Sequence, residues 1–346
     1  MSRVCLFLLF VLVSFLTAAQ SRKELNDSIR SHYIKRFPDH FFIWPLMKKR
    51  STSLDIQSLL DRNKKISYKP NNAYGFGFGV YLFELLAEVT FAIPPNQQKE
   101  DQFGKSKASD LQINVLGKNW GADVFSQTYH GFYRDDGSIP VQSGLPYPQR
   151  RDISIQNIGL NGIYVFNKNK FSFRSAYNFT EKQLRSNGSF ILTGTLNTFE
   201  LDADSAIYGG QYKSVFGTKA DFTNLRYTTL SVAPGYAYTF IAGGFFINLS
   251  ASLGPAQTWV YYKSDGDGHR YNAIDSFLDG RAAFGYNGGR FFTGVSFVSQ
   301  SRNMQFDGVR VTSSSSTFKF LFGYRFEEFG VLKKRVWDFL PKLGAR

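Results

Sequence analysis

Leu230-Ser-Val-Ala-Pro-Gly-Tyr-Ala-Tyr-Thr-Phe240 reads with a period of two. Leu230, Val232, Pro234, Tyr236, Tyr238 and Phe240 share one side, and Ser231, Ala233, Gly235, Ala237 and Thr239 the other. Strand geometry sends alternate side chains to opposite faces. The next segment repeats the pattern, with Phe245, Ile247, Leu249, Ala251 and Leu253 against Phe246, Asn248, Ser250, Ser252 and Gly254. Leu278, Gly280, Ala282, Phe284 and Tyr286 then oppose Asp279, Arg281, Ala283 and Gly285. Finally Phe318, Phe320, Phe322, Tyr324 and Phe326 oppose Lys319, Leu321, Gly323 and Arg325. No charge enters the apolar face of any of the four. A lipid-facing wall around a wet lumen requires that partition.

A soluble β-sandwich alternates too, so three further features weigh between the two. The runs reach about ten residues, the length of a tilted membrane strand. Small residues sit on the polar face and bulky aromatics on the other, and a sandwich would have to bury that whole aromatic set. Tyr236, Tyr238, Trp259, Tyr261 and Tyr262 gather near strand ends, where interfacial girdles lie. Pro234 and Pro255 count the other way, because proline removes a ladder hydrogen bond. The balance favours an all-β, transmembrane antiparallel β-barrel.

Composition agrees. The chain has 36 Phe and 19 Tyr yet a mean hydropathy of −0.24, which suits alternating strands better than apolar helices. Met1 to Ala19 carries one charge, Arg3, before an apolar run from Val4 to Leu16 and the small residues Thr17-Ala18-Ala19, the layout of a cleaved signal peptide. The only cysteine, Cys5, precedes that run, so the mature chain is expected to have no disulfide framework. The surplus of 41 Lys+Arg over 27 Asp+Glu would suit nucleic acid in a cytoplasmic protein. In an exported one it points to acidic lipopolysaccharide or small anionic solutes, and no nucleic acid is expected.

The chain divides into a signal peptide (1–19), a basic leader that is periplasmic or plug-like (20–60), the barrel (61–326) and a short periplasmic tail (327–346). Candidate strands are 72–80, 83–92, 109–118, 122–133, 153–166, 170–179, 188–201, 226–240, 244–262, 275–287, 290–303 and 311–326. That is about twelve strands, with ten to fourteen the range. A first hairpin is expected within 52–70 around Asp61-Arg62-Asn63. Ala242-Gly243-Gly244, Asn287-Gly288-Gly289 and Asn167-Lys168-Asn169 are tight-turn sequences. The stretches 202–224, 263–274 and 302–310 read as long outer loops. The alternation of short turns and long loops breaks earlier in the chain, at 93–108 and 134–152, which points to a miscount of one strand between 170 and 225.

Two stretches carry a resemblance. Tyr68-Lys-Pro-Asn-Asn72 leads into Gly75-Phe-Gly-Phe-Gly79, and Phe171-Ser-Phe-Arg-Ser-Ala-Tyr-Asn-Phe-Thr-Glu-Lys-Gln-Leu-Arg-Ser-Asn-Gly-Ser-Phe190 is more distinctive. With Phe320-Leu-Phe-Gly-Tyr-Arg-Phe326, they resemble a family of uncharacterised Bacteroidetes outer-membrane β-barrel proteins, of the domain of unknown function 4421 type. The resemblance implies an outer-membrane location, a barrel fold and assembly by the barrel assembly machinery; it implies no active site. Phe326, an aromatic strand end of the kind that machinery reads, is followed here by Glu327 to Arg346, so the signal is internal. Within that tail, Val331 to Leu340 could form a short basic amphipathic helix.

Little enzymatic chemistry is legible. Gly75, Gly77 and Gly79 alternate with Phe76 and Phe78, which is strand periodicity and not a phosphate loop. Asp265-Gly-Asp267-Gly268 is half a calcium loop without its bidentate acid, and is better read as a turn. The four histidines (32, 40, 130, 269) show no metal spacing, so no metal or cofactor is expected. His130 and His269 near loops leave a lipid-modifying enzyme conceivable, without a nucleophile to name. Asp279, Arg281, Lys319 and Arg325, with Arg174 and Glu88, are the candidate lumen-lining charges. Inward charges either knit a structural ion-pair network or line a selective passage. The first function expected is a narrow pore or passive transporter, and the alternative a structural or surface-interaction barrel without transport.

Overall fold

The structure is a computed structural model that describes residues 24–83, 85–135, 145–209, 212–217 and 220–333. The expected signal peptide, and the tail from residue 334, lie outside the described residues. A helix α1 (24–33) leads into β1 (Ile34–Arg36). The first half of the sheet is β2 (His40–Ser58), β3 (Lys65–Lys69), β4 (Tyr74–Leu82), β5 (Leu85–Ile93), helix α2 (Gln97–Phe103), β6 (Lys107–Leu116), β7 (Trp120–Arg134) and β8 (Gln149–Val165). Then follow α3 (Arg174–Tyr177), β9 (Glu181–Gln183), β10 (Asn187–Asp202), α4 (Lys213–Phe216) and β11 (Phe222–Ala242). The chain continues through β12 (Phe245–Ser264), β13 (Asp267–Asn287), β14 (Phe291–Phe306) and β15 (Val309–Glu327).

The wall closes on itself. From β15 back to β10, every strand pairs antiparallel with its predecessor; the order then runs β8, β7, β3, β2, and β2 pairs with β15 from Ser58↔Val309 to His40↔Glu327. This is an all-β, closed antiparallel barrel of ten strands, with β4, β5 and β6 as three extra strands. The extra strands arise because β2 is long. Its Leu54–Gln57 end pairs with β3, and its Phe42–Lys48 end pairs with β4. The wall is therefore ten strands round at one end and wider at the other. The first end, where β2 meets β3, is called the crown. The other, where β2 begins and β15 ends, is called the base.

The alternation read from sequence holds strand by strand. Leu230, Val232, Tyr236 and Phe240 point outward and are about half exposed, while Ala233 and Ala237 are fully buried inside. Phe245, Ile247, Leu249, Leu278, Phe284, Phe318, Phe320 and Phe322 continue the same exposed apolar belt around the wall. In water such a belt would far exceed the patch a soluble monomer tolerates; facing acyl chains, it is the favourable arrangement. Pro234 and Pro255 fall in one gap, since the β11–β12 ladder skips from Ser231↔Ala256 to Gly235↔Ser252. The missing proline donors are thus placed where no ladder bond is made. Strands of 20 or 21 residues, such as β12 and β13, span roughly 45 Å when tilted, longer than the ~30 Å hydrocarbon layer. Their crown halves, with Ser313 to Thr317 on β15 and Arg226 and Glu200 on β11 and β10, therefore project beyond the belt.

Several boundaries differ from the sequence reading. The leader expected over 20–60 is not separate from the barrel, because His40–Ser58 is a wall strand. Its inward Lys48 and Arg50 disguised the apolar period. The strand expected at 170–179 is absent; residues 166–186 turn inward at the base and contain α3 and β9, which accounts for the miscount. The long outer loops expected at 263–274 and 302–310 are continuous strands. Each is joined by an Asp-Gly turn with positive φ at both residues, Asp265 (50°) with Gly266 (91°) and Asp307 (41°) with Gly308 (85°). That backbone fits the twist of a two-residue hairpin. The expected hairpin around Asp61 does form, between β2 and β3.

Candidate functional site: a polar chamber between two stoppers

The inside of the barrel is layered, and β2 shows the layers in one column. From base to crown its inward residues are Phe42, Trp44 and Leu46, then Lys48, Arg50 and Thr52, then Leu54 and Ile56. Apolar ends enclose a polar middle.

The base layer is a plug formed by residues 166–186 and tied to the N-terminal segment. Phe37, Phe42, Trp44, Leu46, Phe179, Phe246 and Phe292 form its apolar part. Phe179 and Phe292 stack at 5.0 Å. β1 pairs with β9 from Ile34↔Gln183 to Arg36↔Glu181. Glu181 is fully buried and accepts hydrogen bonds from both Arg30 Nη2 contacts (2.8 and 2.7 Å) and from Ser172 Oγ (2.5 Å). Arg174 and Arg36 approach it at 3.6 and 3.8 Å. Burial alone would raise the Glu181 carboxyl, but the Arg174 and Arg30 guanidinia and the Ser172 hydroxyl outweigh it and hold it below the usual carboxylate range.

Arg325 lies in the same layer and, among the described residues, has no carboxylate partner. Its Nη1 donates to the Gly288 carbonyl (3.0 Å), and its Nη2 to the Phe179 carbonyl and Asn287 Oδ1 (both 2.8 Å). The guanidinium carbon sits 3.9 Å from the Phe37 ring centre and 4.6 Å from that of Phe292. Carbonyl dipoles and ring faces stand in for a counter-ion.

The crown layer is a cap. Residues of the 203–221 connection, including Ile207, Tyr208, Phe216 and Ala220, are buried against inward Leu54, Ile56, Phe199, Phe222, Phe306 and Val311. Arg150 fastens the cap from outside. It pairs with Asp152 (2.8 Å) and donates to the carbonyls of Ser205 and Ala206 at 2.8 and 3.0 Å. The hydrogen bond from Arg150 holds the Asp152 carboxyl down at about 2.

Between plug and cap lies the polar chamber. Asp279, fully buried, accepts from Arg281 Nε (2.9 Å) on its own strand and from Gln300 (2.9 Å), and Asn161 donates in turn to Gln300 (3.2 Å). A second chain runs Asn197, Asn157, Gln127, Asp110 and Arg50 across five strands, with Asn157 to Gln127 at 3.0 Å and Gln127 to Asp110 at 3.2 Å. Lys319 Nζ pairs with Glu88 (2.9 Å) and donates to the Tyr177 carbonyl of the plug (3.2 Å), while Trp44 Nε1 donates to Glu88 (3.3 Å). That contact needs Gly79, where a Cβ would stand 2.0 Å from the Trp44 ring.

Of the six charges read from sequence, Asp279 with Arg281 and Lys319 with Glu88 form two chamber pairs. Arg325 faces inward but belongs to the base. Arg174 is on α3 of the plug, not on a wall strand, which corrects its expected place. Lys48 and Arg50 on β2, Asp110 on β6 and Asp123 on β7 also face inward; they were missed because their strands lack the clean alternation of the last four. Arg30 and Glu181 were missed because nothing local marks a plug. Among the described residues no cluster suited to a metal ion occurs. His269 stacks on Tyr262 at 5.0 Å, and His130 lies in the ladders opposite Lys107 and Ser154.

A family model described as Domain of unknown function (DUF4421) matches residues 26–326. No curated protein matches. Among solved structures, the outer membrane protease OmpT of Escherichia coli is similar at 8% identity, covering 84% of this chain and 98% of that one, with a TM-score of 0.42. The translocator domain of the autotransporter NalP of Neisseria meningitidis is similar at 7% identity, 90% and 98% coverage and a TM-score of 0.33. Neisserial surface protein A is similar at 8% identity, 81% and 96% coverage and a TM-score of 0.21.

Proposed function

The chain belongs to the family described as Domain of unknown function (DUF4421), a description that names no activity, and from that premise we propose an integral outer-membrane barrel that is stoppered at rest and acts as a surface-interaction scaffold. The observation that carries this reading is the filling of both mouths from the barrel's own connections, plug 166–186 at the base and cap 203–221 at the crown. The exposed apolar belt supports membrane insertion. The crown, whose strands outrun the hydrocarbon layer, would face outward, and the basic surplus of the chain suits acidic lipopolysaccharide there.

A narrow pore for small anionic solutes is the second reading, favoured by the charged chamber. It would require plug and cap to move. Planar-bilayer conductance separates the two. The intact protein should show no steady current steps, and ohmic steps from a protein with seated plug and cap would overturn the scaffold reading.

A further inference from the structure

The wall has a seam. β4 and β5 are laddered from Leu82↔Leu85 to Tyr74↔Ile93, and β6 and β7 from Leu116↔Gly121 to Lys107↔His130. Among the described residues, however, no ladder joins β5 to β6. The gap lies at belt depth, because Val89, Phe91 and Ile93 of β5 and Leu111, Ile113 and Val115 of β6 are exposed on the lipid side. Hydrocarbon cannot satisfy the N–H and C=O groups of two open edges. At that depth they persist only beside protein or a wet cavity. On the chamber side, Glu88 and Thr90 of β5 and Asp110, Gln112 and Asn114 of β6 are all polar.

The two sides of the gap are held differently. β6 is laddered to β7 over its whole length. β5 hangs on β4, and the sheet folds sharply inward between them. Gly75, Gly77 and Gly79 occupy the inward positions of β4, and a Cβ on Gly77 would stand 1.8 Å from the Val89 carbonyl oxygen. Only glycine permits so close an approach of one backbone to another.

A polar hook spans that fold. Glu88 lies opposite Gly79, and Gly79 opposite Trp44. With no side chain on Gly79 to block it, the Glu88 carboxylate crosses β4 and accepts from Trp44 Nε1 on β2 (3.3 Å) and from Lys319 Nζ on β15 (2.9 Å). Both donors lie on the side away from β6, so the hook draws β5 back from the gap. Lys319 is steadied in turn by the Tyr177 carbonyl of the plug (3.2 Å).

We propose that the seam is a lateral gate of the chamber, with the β4–β5 hairpin as its leaf and the Glu88–Lys319 pair as the latch that keeps it open. On release, the leaf swings outward on its glycine column and β5 ladders with β6. The two edges match for that closure. They run antiparallel, they are 9 and 10 residues long, and each is apolar toward lipid and polar toward the chamber. Closing pairs both edges and makes the belt continuous across them. The inference rests on the membrane placement proposed above.

The test is disulfide trapping across the gap, in the full chain with Cys5→Ser, reconstituted in vesicles. Val89 and Phe91 are each combined with Leu111, Ile113 and Val115 as double cysteine variants, because a disulfide needs Cα atoms within about 7 Å. With the latch intact, cross-linking should be slow. In Lys319→Met it should rise about tenfold at one register, the factor that loss of one charge-assisted hydrogen bond corresponds to, and it should return to the parent rate in Lys319→Arg. The ladder pair I113C/V124C of β6 and β7 should cross-link in every background, which tells a released latch from a misfolded barrel. Should Lys319→Met fail that control, Glu88→Gln breaks the same latch from its other side. Equal rates with and without the latch, fast or slow, would overturn the proposal, as would a rise in Lys319→Arg as large as that in Lys319→Met. A water-confined maleimide that reaches I113C in vesicles would overturn the membrane placement instead.

Discussion

The base and the crown close the same tube by opposite chemistry. At the crown the cap is held mainly by buried apolar side chains, Ile207, Tyr208 and Phe216 among them, with the more exposed ion pairs Arg150–Asp152 and Lys213–Asp265 at its margin. At the base, aromatic rings form only half of the stopper. The other half is a buried carboxylate shared by arginines and a lone arginine held by carbonyl oxygens. Apolar closure is non-directional and tolerates rearrangement. Ionic closure in a dry site is directional, and removing one partner leaves the other charge uncompensated. The base should therefore fail abruptly when a single group is changed, and the crown gradually.

The largest effect is expected from Glu181→Ala, which strands Arg30 and Arg174. A loss of ~3–5 kcal/mol in plug stability is expected from breaking a buried pair of this type. Hydrogen exchange across 166–186 should accelerate while exchange at 203–209 stays unchanged; parallel changes at both ends would erase the contrast. Phe216→Ala comes next. Truncating a buried ring costs about 3 kcal/mol at a site that can partly collapse, so faster exchange should be confined to the cap, and a response in the plug would show that the two stoppers are coupled. The smallest effect concerns pH. Asp152 has its carboxyl depressed to about 2, so its clamp through Arg150 is fully present above the ordinary carboxylate value near 4 and is lost as pH falls through about 2. Protease nicking of the 203–209 segment should rise only in that acid window, and nicking already rising near pH 6 would mean that another group governs the cap.

How much of this was legible in the sequence follows from periodicity. The last strands advertise themselves because small residues face in and aromatics face out, as in Tyr236, Ala237, Tyr238 and Thr239. β2 was hidden by the same rule: its inward column changes from Trp44 and Leu46 to Lys48 and Arg50, so no single face reads as apolar. The plug was misread as a strand because Phe171, Phe173 and Phe179 are aromatic at short spacing, yet they pack inside the barrel instead of on lipid. Asp279, Arg281 and Lys319 could be placed on the lumen side from alternation alone. Their partners could not, since Gln300 and Glu88 come from strands 21 and 231 residues away in sequence. The three-arginine site on Glu181 joins α1, β1, α3 and β9, a meeting that only closure of the barrel creates.

Arg325 sits on β15, the strand whose ladder with β2 completes the ring. The same side chain is gripped by Phe179 of the plug and by the Asn287–Gly289 turn. An unseated plug would take away the Phe179 carbonyl and leave that buried guanidinium on the turn's oxygens alone. One side chain on the final strand thus ties the strand that seals the cylinder to the segment that stoppers it.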